Sequence, residues 1–257
     1  MNEKKIIMLA SAGSSTVFMF NGIRANYPIS SVIIEEKLST KKLIKRKIKR
    51  LGVWTVLGQT LFQLLIVKFH FKFSKKRILE IEQQFGLDNT PIPESIIKHV
   101  TAVNSPECIA FLKEAKPDLV IVNGTRILSK KILNEIKATF VNTHVGITPK
   151  YRGVHGGYWA LVNNDKENCG VTVHLIDEGI DTGGILYQMN ISPQKDDNLV
   201  TYPYLQIAKG IECMKLAIND FSNNQLKAIT PKVSESILWY HPTLWQYVYN
   251  WIVKHVK

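Results

Sequence analysis

Short apolar runs alternate with segments of helical character along most of the chain, and this alternation is what most constrains the fold. The predicted strands are residues 5–10, 29–34, 99–103, 118–123, 138–142, 171–175 and 185–189. The predicted helices are residues 16–23, 106–115, 129–136 and 201–219. Strands that alternate with helices predict an α/β domain with a doubly wound, mostly parallel sheet. In such sheets ligands bind outside the carboxyl ends of the strands.

The length and composition indicate one main domain with additions. A chain of 257 residues with 45% hydrophobic and 21% charged side chains can bury a full core. We predict a main domain over residues 1–220, a helical insertion at 35–98 and an aromatic, helical tail at 221–257. The three cysteines are widely spaced and no signal peptide is evident, so we expect reduced thiols in a cytoplasmic protein.

The formal net charge of +12 arises from one segment. Residues 37–77 contain thirteen Lys and Arg side chains and no Asp or Glu. This segment could pack as a helical subdomain with a solvated basic face, form a homodimer, or lie on an anionic membrane surface. RNA is the least favoured partner because no dedicated nucleic-acid motif is present. Residues 51–67 are about one residue short of the usual spanning length and carry four polar side chains, so we expect no transmembrane helix here.

Two polar side chains at the end of a predicted strand are candidates for chemistry. Asn142 and His144 are two residues apart, so their side chains project to the same side of the strand. An amide can stabilise an oxyanion, and an imidazole can carry protons near neutral pH. Asp181 lies in a glycine-bracketed loop between two predicted strands and could orient the imidazole.

Four motifs in order resemble the formyltransferase family. They are Asn-x-His at 142–144, Pro-Lys-Tyr-Arg-Gly at 149–153, Gly-Val-Thr-Val-His at 170–174 and Asp-Glu-Gly-Ile-Asp-Thr-Gly-Gly at 177–184. That family includes glycinamide ribonucleotide, methionyl-tRNA and sugar N-formyltransferases. The resemblance is dense over residues 117–188 and fainter over 5–34. We find no counterpart for the insertion at 35–98 or for the tail after residue 220.

The resemblance implies a mechanism and a formyl donor. The family's catalytic residues fall on Asn142, His144 and Asp181, and the donor is N10-formyltetrahydrofolate. An unprotonated amine attacks the formyl carbon, Asn142 and a protonated His144 stabilise the oxyanion, and Asp181 supports His144. The mechanism requires neither a covalent enzyme intermediate nor a metal.

The resemblance also implies binding residues. The folate pocket falls on two loops, formed by Gly124, Thr125, Arg126, Ile127 and Leu128 and by Ile176, Asp177, Glu178, Gly179 and Ile180. Candidate contacts to an acceptor phosphate are Lys150, Tyr151 and Arg152, together with Gly13 and Ser14 at a predicted helix N-terminus, where the turn lacks the complete Gly-x-Gly-Ser-Asn pattern of the purine enzyme. Other interpretations stay open: Asp177 and Glu178 could form a solvated turn, and residues 150–152 could only support their loop. His155 and His174 are further imidazoles, and we expect His174 to be structural.

The acceptor is predicted by elimination. The purine enzyme is usually shorter, and the tRNA enzyme normally carries a C-terminal β-barrel that the residues after the long helix do not resemble. We therefore expect a small-molecule acceptor: an amino sugar on a nucleotide or lipid carrier, used in cell-surface glycan biosynthesis. Alternatives are the purine and tRNA substrates, hydrolysis of the folate donor, and a non-catalytic protein that binds folate or a sugar nucleotide.

Overall fold

The structure is a computed structural model that describes residues 4–229 and 235–257. Its strands are β1 (Ile6–Ser11), β2 (Ile29–Glu35), β3 (Ile97–Val100), β4 (Leu119–Asn123), β5 (Thr139–His144), β6 (Arg152–Gly153), β7 (Gly170–Leu175), β8 (Ile185–Asn190) and β9 (Leu238–Trp239). Its α-helices are α1 (Ser14–Arg24), α2 (Thr40–Leu51), α3 (Val53–Leu61), α4 (Lys68–Phe73), α5 (Lys75–Phe85), α6 (Pro106–Ala115), α7 (Lys130–Glu135), α8 (Gly156–Val162), α9 (Tyr202–Ser222) and α10 (Leu244–Lys254). A π-helical segment, Phe62–Val67, joins α3 to α4, and short 3₁₀ turns cover Glu94–Ile96 and Lys166–Asn168.

Seven strands form the central sheet in the order β3-β2-β1-β4-β5-β7-β8. The pairs from β3 to β5 are parallel, whereas β7 runs antiparallel to β5 and β8 antiparallel to β7. This arrangement confirms the predicted doubly wound, mostly parallel α/β fold. Because chain order reverses at β1, ligands are expected at the carboxyl edge of the sheet near β1 and β4.

Helices cover both faces of the sheet. One core cluster joins the sheet to α1 and α9, and another joins it to α6 and α7. Helix α6 has the predicted bounds because the Ser105 hydroxyl accepts from the Cys108 amide (3.2 Å) and Pro106 occupies the first turn. Strand β3 lies at Ile97–Val100 rather than at 99–103, since the amide of Val103 donates to Glu35 and not to a neighbouring strand.

The insertion and the tail pack together beside the sheet. Phe62, Tyr158 and Tyr247, from the π-helical segment, α8 and α10, share a third buried cluster. The Arg77 guanidinium also makes two hydrogen bonds, of 2.9 and 3.0 Å, to the buried carboxylate of Asp197 before α9. The insertion is therefore fixed to the main domain by apolar packing and by a buried ion pair.

Much of the outer face of the insertion is apolar and exposed. Trp54 is 77% exposed, Phe73 66%, and Ile252 of α10 also 66%. The adjoining helix α2 carries basic side chains on its exposed surface. Among the described residues, no helix combines the length and hydropathy needed to cross a bilayer.

Candidate active site

Strand β5 positions two of the predicted catalytic side chains. It lies between the parallel strand β4 and the antiparallel strand β7 and carries Asn142 and His144 at its carboxyl end. His144 is buried, with 5% of its surface exposed, and Asn142 is partly buried. Both line one cleft at this edge of the sheet.

The His144 ring is held by a backbone carbonyl. Its Nε2 lies 2.7 Å from the carbonyl oxygen of Tyr151. A carbonyl only accepts, so in the neutral ring Nε2 carries the proton and Nδ1 keeps a free lone pair. Gly146 permits this close approach, because a Cβ at that position would lie 2.8 Å from His144 Nε2.

Asp181 meets His144 from the loop between β7 and β8. Its Oδ2 lies 3.3 Å from His144 Nδ1 and accepts a 3.1 Å hydrogen bond from the amide of Gly153. Asp181 has a φ of 52°, in the left-handed region that short polar residues tolerate.

The two groups influence each other's protonation. Burial lowers the pKa of the His144 imidazole, although the Asp181 charge and the Tyr151 carbonyl act in the opposite direction. Burial alone would raise the pKa of the Asp181 carboxyl, but contacts with His174, His144 and the Gly153 amide hold this pKa below its usual value. The resting pair is therefore a neutral imidazole beside a carboxylate.

His174, which we expected to be structural, belongs to this site. It is the cross-strand neighbour of Asn142 in the pairing of β5 with β7. Its Nδ1 lies 2.7 Å from the Leu175 carbonyl and so carries the proton, which leaves Nε2 to accept from Asn142 Nδ2 at 3.2 Å. His174 Nε2 is also 3.7 Å from Asp181 Oδ1. It is therefore a positioning residue for the Asn142 amide.

The cleft has a volume of about 450 Å³ and is bounded by both loops that the resemblance assigned to the folate. The lining residues from these loops are Gly124, Thr125, Arg126, Ile127, Leu128, Ile176, Asp177, Gly179 and Ile180. Glu178 instead forms an ion pair with Lys130. Apolar walls that end at polar groups, in a cleft of this volume, fit a flat heteroaromatic ring such as a pterin.

A buried carboxylate fixes the first of these loops. Glu35, at the end of β2, is 4% exposed and accepts from the Arg126 amide at 2.7 Å and from the Val103 amide at 3.2 Å. Its Oε2 also lies 3.3 Å from Nε of Arg126. The sequence analysis missed this residue because nothing near position 35 indicates a partner ninety residues away.

The turn after β1 lies outside the cleft. Gly13 and Ser14 are exposed at the N-terminus of α1 and are not among the residues that line the cleft. Their contact with an acceptor phosphate stays a prediction.

The side chains of residues 150–152 are engaged elsewhere. Lys150 pairs with Asp165 at 2.7 Å, and the fully buried Tyr151 donates to the same carboxylate at 2.9 Å. Arg152 donates to the Ile180 carbonyl at 2.9 Å. These positions do not support the expected contacts to an acceptor, and they instead brace the loops that hold His144 and Asp181.

The tail contributes to the cleft, which the sequence analysis did not anticipate. Strand β9 pairs in parallel with β6 and brings Leu238, Trp239 and Tyr240 to the cleft wall. The Trp239 indole donates to the Lys150 carbonyl at 3.1 Å. The aromatic richness of the tail was the only signal in the sequence.

Comparisons with known proteins agree with this architecture. Residues 73–204 match the family model described as formyl transferase. A methionyl-tRNA formyltransferase from Thermodesulfovibrio yellowstonii is 39% identical over 137 residues, which are 53% of this chain and 43% of that protein. A phosphoribosylglycinamide formyltransferase from Anaplasma phagocytophilum superposes with a TM-score of 0.58 at 16% identity and covers 92% of this chain and 98% of that one. A sugar N-formyltransferase from Shewanella sp. superposes with a TM-score of 0.56 at 14% identity, over 90% of this chain and 75% of that one.

The chain therefore belongs to the formyl transferase family, as the sequence motifs implied. It spans less than half of the length of the Thermodesulfovibrio relative. The family match begins at residue 73, inside the insertion. The expectation that all of residues 35–98 lack a counterpart is thus wrong for 73–98, which hold α5 and the approach to β3.

Proposed function

We propose that the protein transfers a formyl group from N10-formyltetrahydrofolate to a primary amine. The observation that carries this proposal is the convergence of Asn142, His144 and Asp181 on one cleft. The donor, bound between the loops at 124–128 and 176–180, supplies the formyl carbon and the leaving nitrogen N10.

The Asn142 amide is suited to stabilise the oxyanion. One of its N–H bonds points at His174 Nε2, and the other is left for the formyl oxygen. The amine nitrogen then bonds to the formyl carbon, and the bond from that carbon to N10 breaks.

His144 accepts and then passes on the proton. Its Nδ1 is unprotonated at rest and takes the proton that the amine loses, and Asp181 at 3.3 Å stabilises the resulting imidazolium. The proton then passes to N10, directly or through water. A protonated His144 thus arises during the reaction, whereas the family resemblance implied one from the start.

An amino sugar is the acceptor that we propose. Trp239 and Tyr240 give the cleft wall a flat aromatic surface suited to a sugar ring. The sugar N-formyltransferase from Shewanella sp. shares the fold. The product would be a formylated sugar for a surface glycan.

A tRNA acceptor is the second candidate. It is favoured by the 39% identity to a methionyl-tRNA formyltransferase. The basic insertion, with thirteen Lys and Arg in residues 37–77, would then contact the phosphates of the tRNA backbone.

The test is mass spectrometry of acceptors incubated with the protein and N10-formyltetrahydrofolate. The panel holds amino-sugar nucleotides, glycinamide ribonucleotide and methionyl-tRNA. A gain of one formyl group on a sugar amine supports the proposal, and a gain on another acceptor reassigns the substrate. Formate released without acceptor gain indicates a hydrolase. Donor binding without turnover of any kind indicates a binding protein.

Variants link the reaction to the site. We expect Asp181→Asn and His144→Asn to lower kcat/KM by about 10²–10⁴-fold while folding persists. The control is Asp196→Asn, which removes an exposed carboxylate outside the cleft and is expected to leave turnover unchanged. Full activity in either site variant would contradict the assignment.

We also propose that residues 37–77 contact an anionic membrane surface. Exposed Trp54 and Phe73 lie on the same insertion as the basic helix α2. The full chain should co-sediment with anionic liposomes at low salt and be released at high salt. Self-association of the chain without liposome binding would assign this face to a homodimer.

A further inference from the structure

A second cavity adjoins the catalytic cleft on the side of the insertion. It has a volume of about 240 Å³ and lies between α2, α3 and the tail. Arg50, Val154 and Tyr240 line both cavities, so the two spaces share a wall. A molecule with its amine at Asn142 can therefore extend toward the insertion.

Three cations face this second cavity. Arg46, Lys47 and Arg50 of α2 line it, and no acidic residue does so in the described part of the chain. None of the three forms an ion pair with a described Asp or Glu side chain. The side chain of Arg50 is held in place, since its guanidinium donates to the Tyr240 hydroxyl at 2.6 Å and stacks on that ring at 4.8 Å.

A buried amide fixes the wall of this cavity next to the tail. Gln59 is 5% exposed and lines the cavity, and its Nε2 donates to the His241 carbonyl at 2.8 Å. Its Oε1 has no hydrogen-bond partner among the described residues. That oxygen has almost no accessible surface, so a ligand in the cavity does not reach it, and Gln59 contributes to the wall rather than to binding.

The imidazole in the wall adds no positive charge. Burial, with smaller effects of His155 and Lys47, lowers the pKa of His241 to about 3. The positive charge at the cavity therefore belongs to α2.

We propose that this cavity is an anion subsite that binds a phosphate or diphosphate ester. Arg46, Lys47 and Arg50 would hold the phosphate oxygens. Placing this ester on the amine acceptor rests on the formyl transfer proposed above. The acceptor class is then a phosphorylated amino sugar, and the phosphate can belong to a soluble nucleotide or to a lipid carrier.

Calorimetric titration of the full chain with inorganic pyrophosphate at constant ionic strength tests the subsite. The double variant Arg46→Ala/Lys47→Ala should weaken binding by about tenfold or more. The matched control is Lys41→Ala/Lys45→Ala, which removes the same charge from α2 at positions outside the cavity lining. An equal loss in both variants, or no pyrophosphate binding by the wild-type chain, would overturn the proposal.

A second variant tests the effect of charge at a residue that lines the cavity. Gln59→Glu keeps the side-chain size and adds a negative charge, so it should also weaken pyrophosphate binding by about tenfold. Thermal melting shows whether this variant has folded. If it folds and binds pyrophosphate as tightly as the wild type, Gln59 does not face the anion and the subsite as drawn is wrong.

Vesicles distinguish the two sources of phosphate. Pyrophosphate should displace the chain from phosphatidylcholine–phosphatidylglycerol vesicles if the subsite takes a lipid phosphate, and it should leave vesicle binding unchanged if the ester is soluble. Both results support the subsite, provided that the Arg46→Ala/Lys47→Ala variant loses pyrophosphate binding. If the chain binds pyrophosphate but transfers no formyl group, only the proposed function is overturned. If it transfers a formyl group but does not bind pyrophosphate, only the subsite is overturned.

Discussion

Two partly buried histidines join the main domain, the insertion and the tail, and they make the stability of the protein sensitive to pH. His155 Nε2 lies 3.0 Å from His241 Nδ1, and the Gln63 amide lies 3.0 Å from the same Nδ1. Burial lowers the pKa of His155 to about 4, and burial together with the neighbouring charges lowers that of His241 to about 3. Both rings are thus neutral in the folded protein at neutral pH.

The size of the effect follows from these pKa values. In the unfolded chain an imidazole titrates near pH 6.5, so below that pH the unfolded chain binds protons that the folded chain does not. The stabilising contribution is complete above pH about 6.5 and is lost as the pH falls toward the folded pKa values. Between about pH 7 and about pH 5, each ring lowers the free energy of unfolding by about 2 kcal/mol, and the two rings together lower it by about 4 kcal/mol.

Urea unfolding of the full chain at a series of pH values measures this loss. We expect His241→Asn and His155→Asn each to remove about half of the contribution of the pair to the pH dependence. His255→Asn is the control, because His255 is exposed at the end of α10 and its left-handed backbone suits Asn. A pH dependence that is the same in the wild type, in His241→Asn and in His155→Asn would refute the reasoning.

Two further predictions concern packing around the site. Glu35→Gln should destabilise the fold by about 1–3 kcal/mol and raise the KM for the folate donor, because the loop at Arg126 loses its carboxylate. The control, Glu36→Gln, makes the same change at the exposed neighbour and should have neither effect. Equal effects in the two variants would contradict the prediction. Gly58→Ala should lower the free energy of unfolding by about 1–3 kcal/mol and alter the near-ultraviolet circular dichroism of Trp245, because the new Cβ would overlap that ring. Unchanged spectra and stability would show that α3 and α10 are not so closely packed.

The fold could be predicted from local patterns to a large extent. Buried parallel strands such as β4 are continuous apolar runs, and α6 carries a cap and a proline that fix its start. The prediction ended β5 at Asn142, two residues early. The strand continues to His144 because the antiparallel strand β7 pairs with it there, and such a distant partner leaves no local signal.

The candidate site could be predicted only in part for the same reason. Asn142, His144 and Asp181 stand in motifs and were selected from them. His174 was named as a further imidazole but not placed in the site, because the antiparallel pairing of β5 with β7 that makes it the cross-strand neighbour of Asn142 leaves no local signal. Glu35 and the tail residues act through contacts with segments far away in the chain, and neither periodicity nor spacing reveals such contacts.

The pairing of β9 with β6 also has a consequence for how the protein is made. Translation proceeds from the N-terminus, and early parts of a chain can fold while later parts are still being synthesised. The sheet, the insertion and all three predicted catalytic side chains are synthesised before Leu238, Trp239 and Tyr240. The cleft wall is therefore the last part of the site to be made, and a nascent chain arrested before residue 238 would hold a sheet with an unfinished cleft.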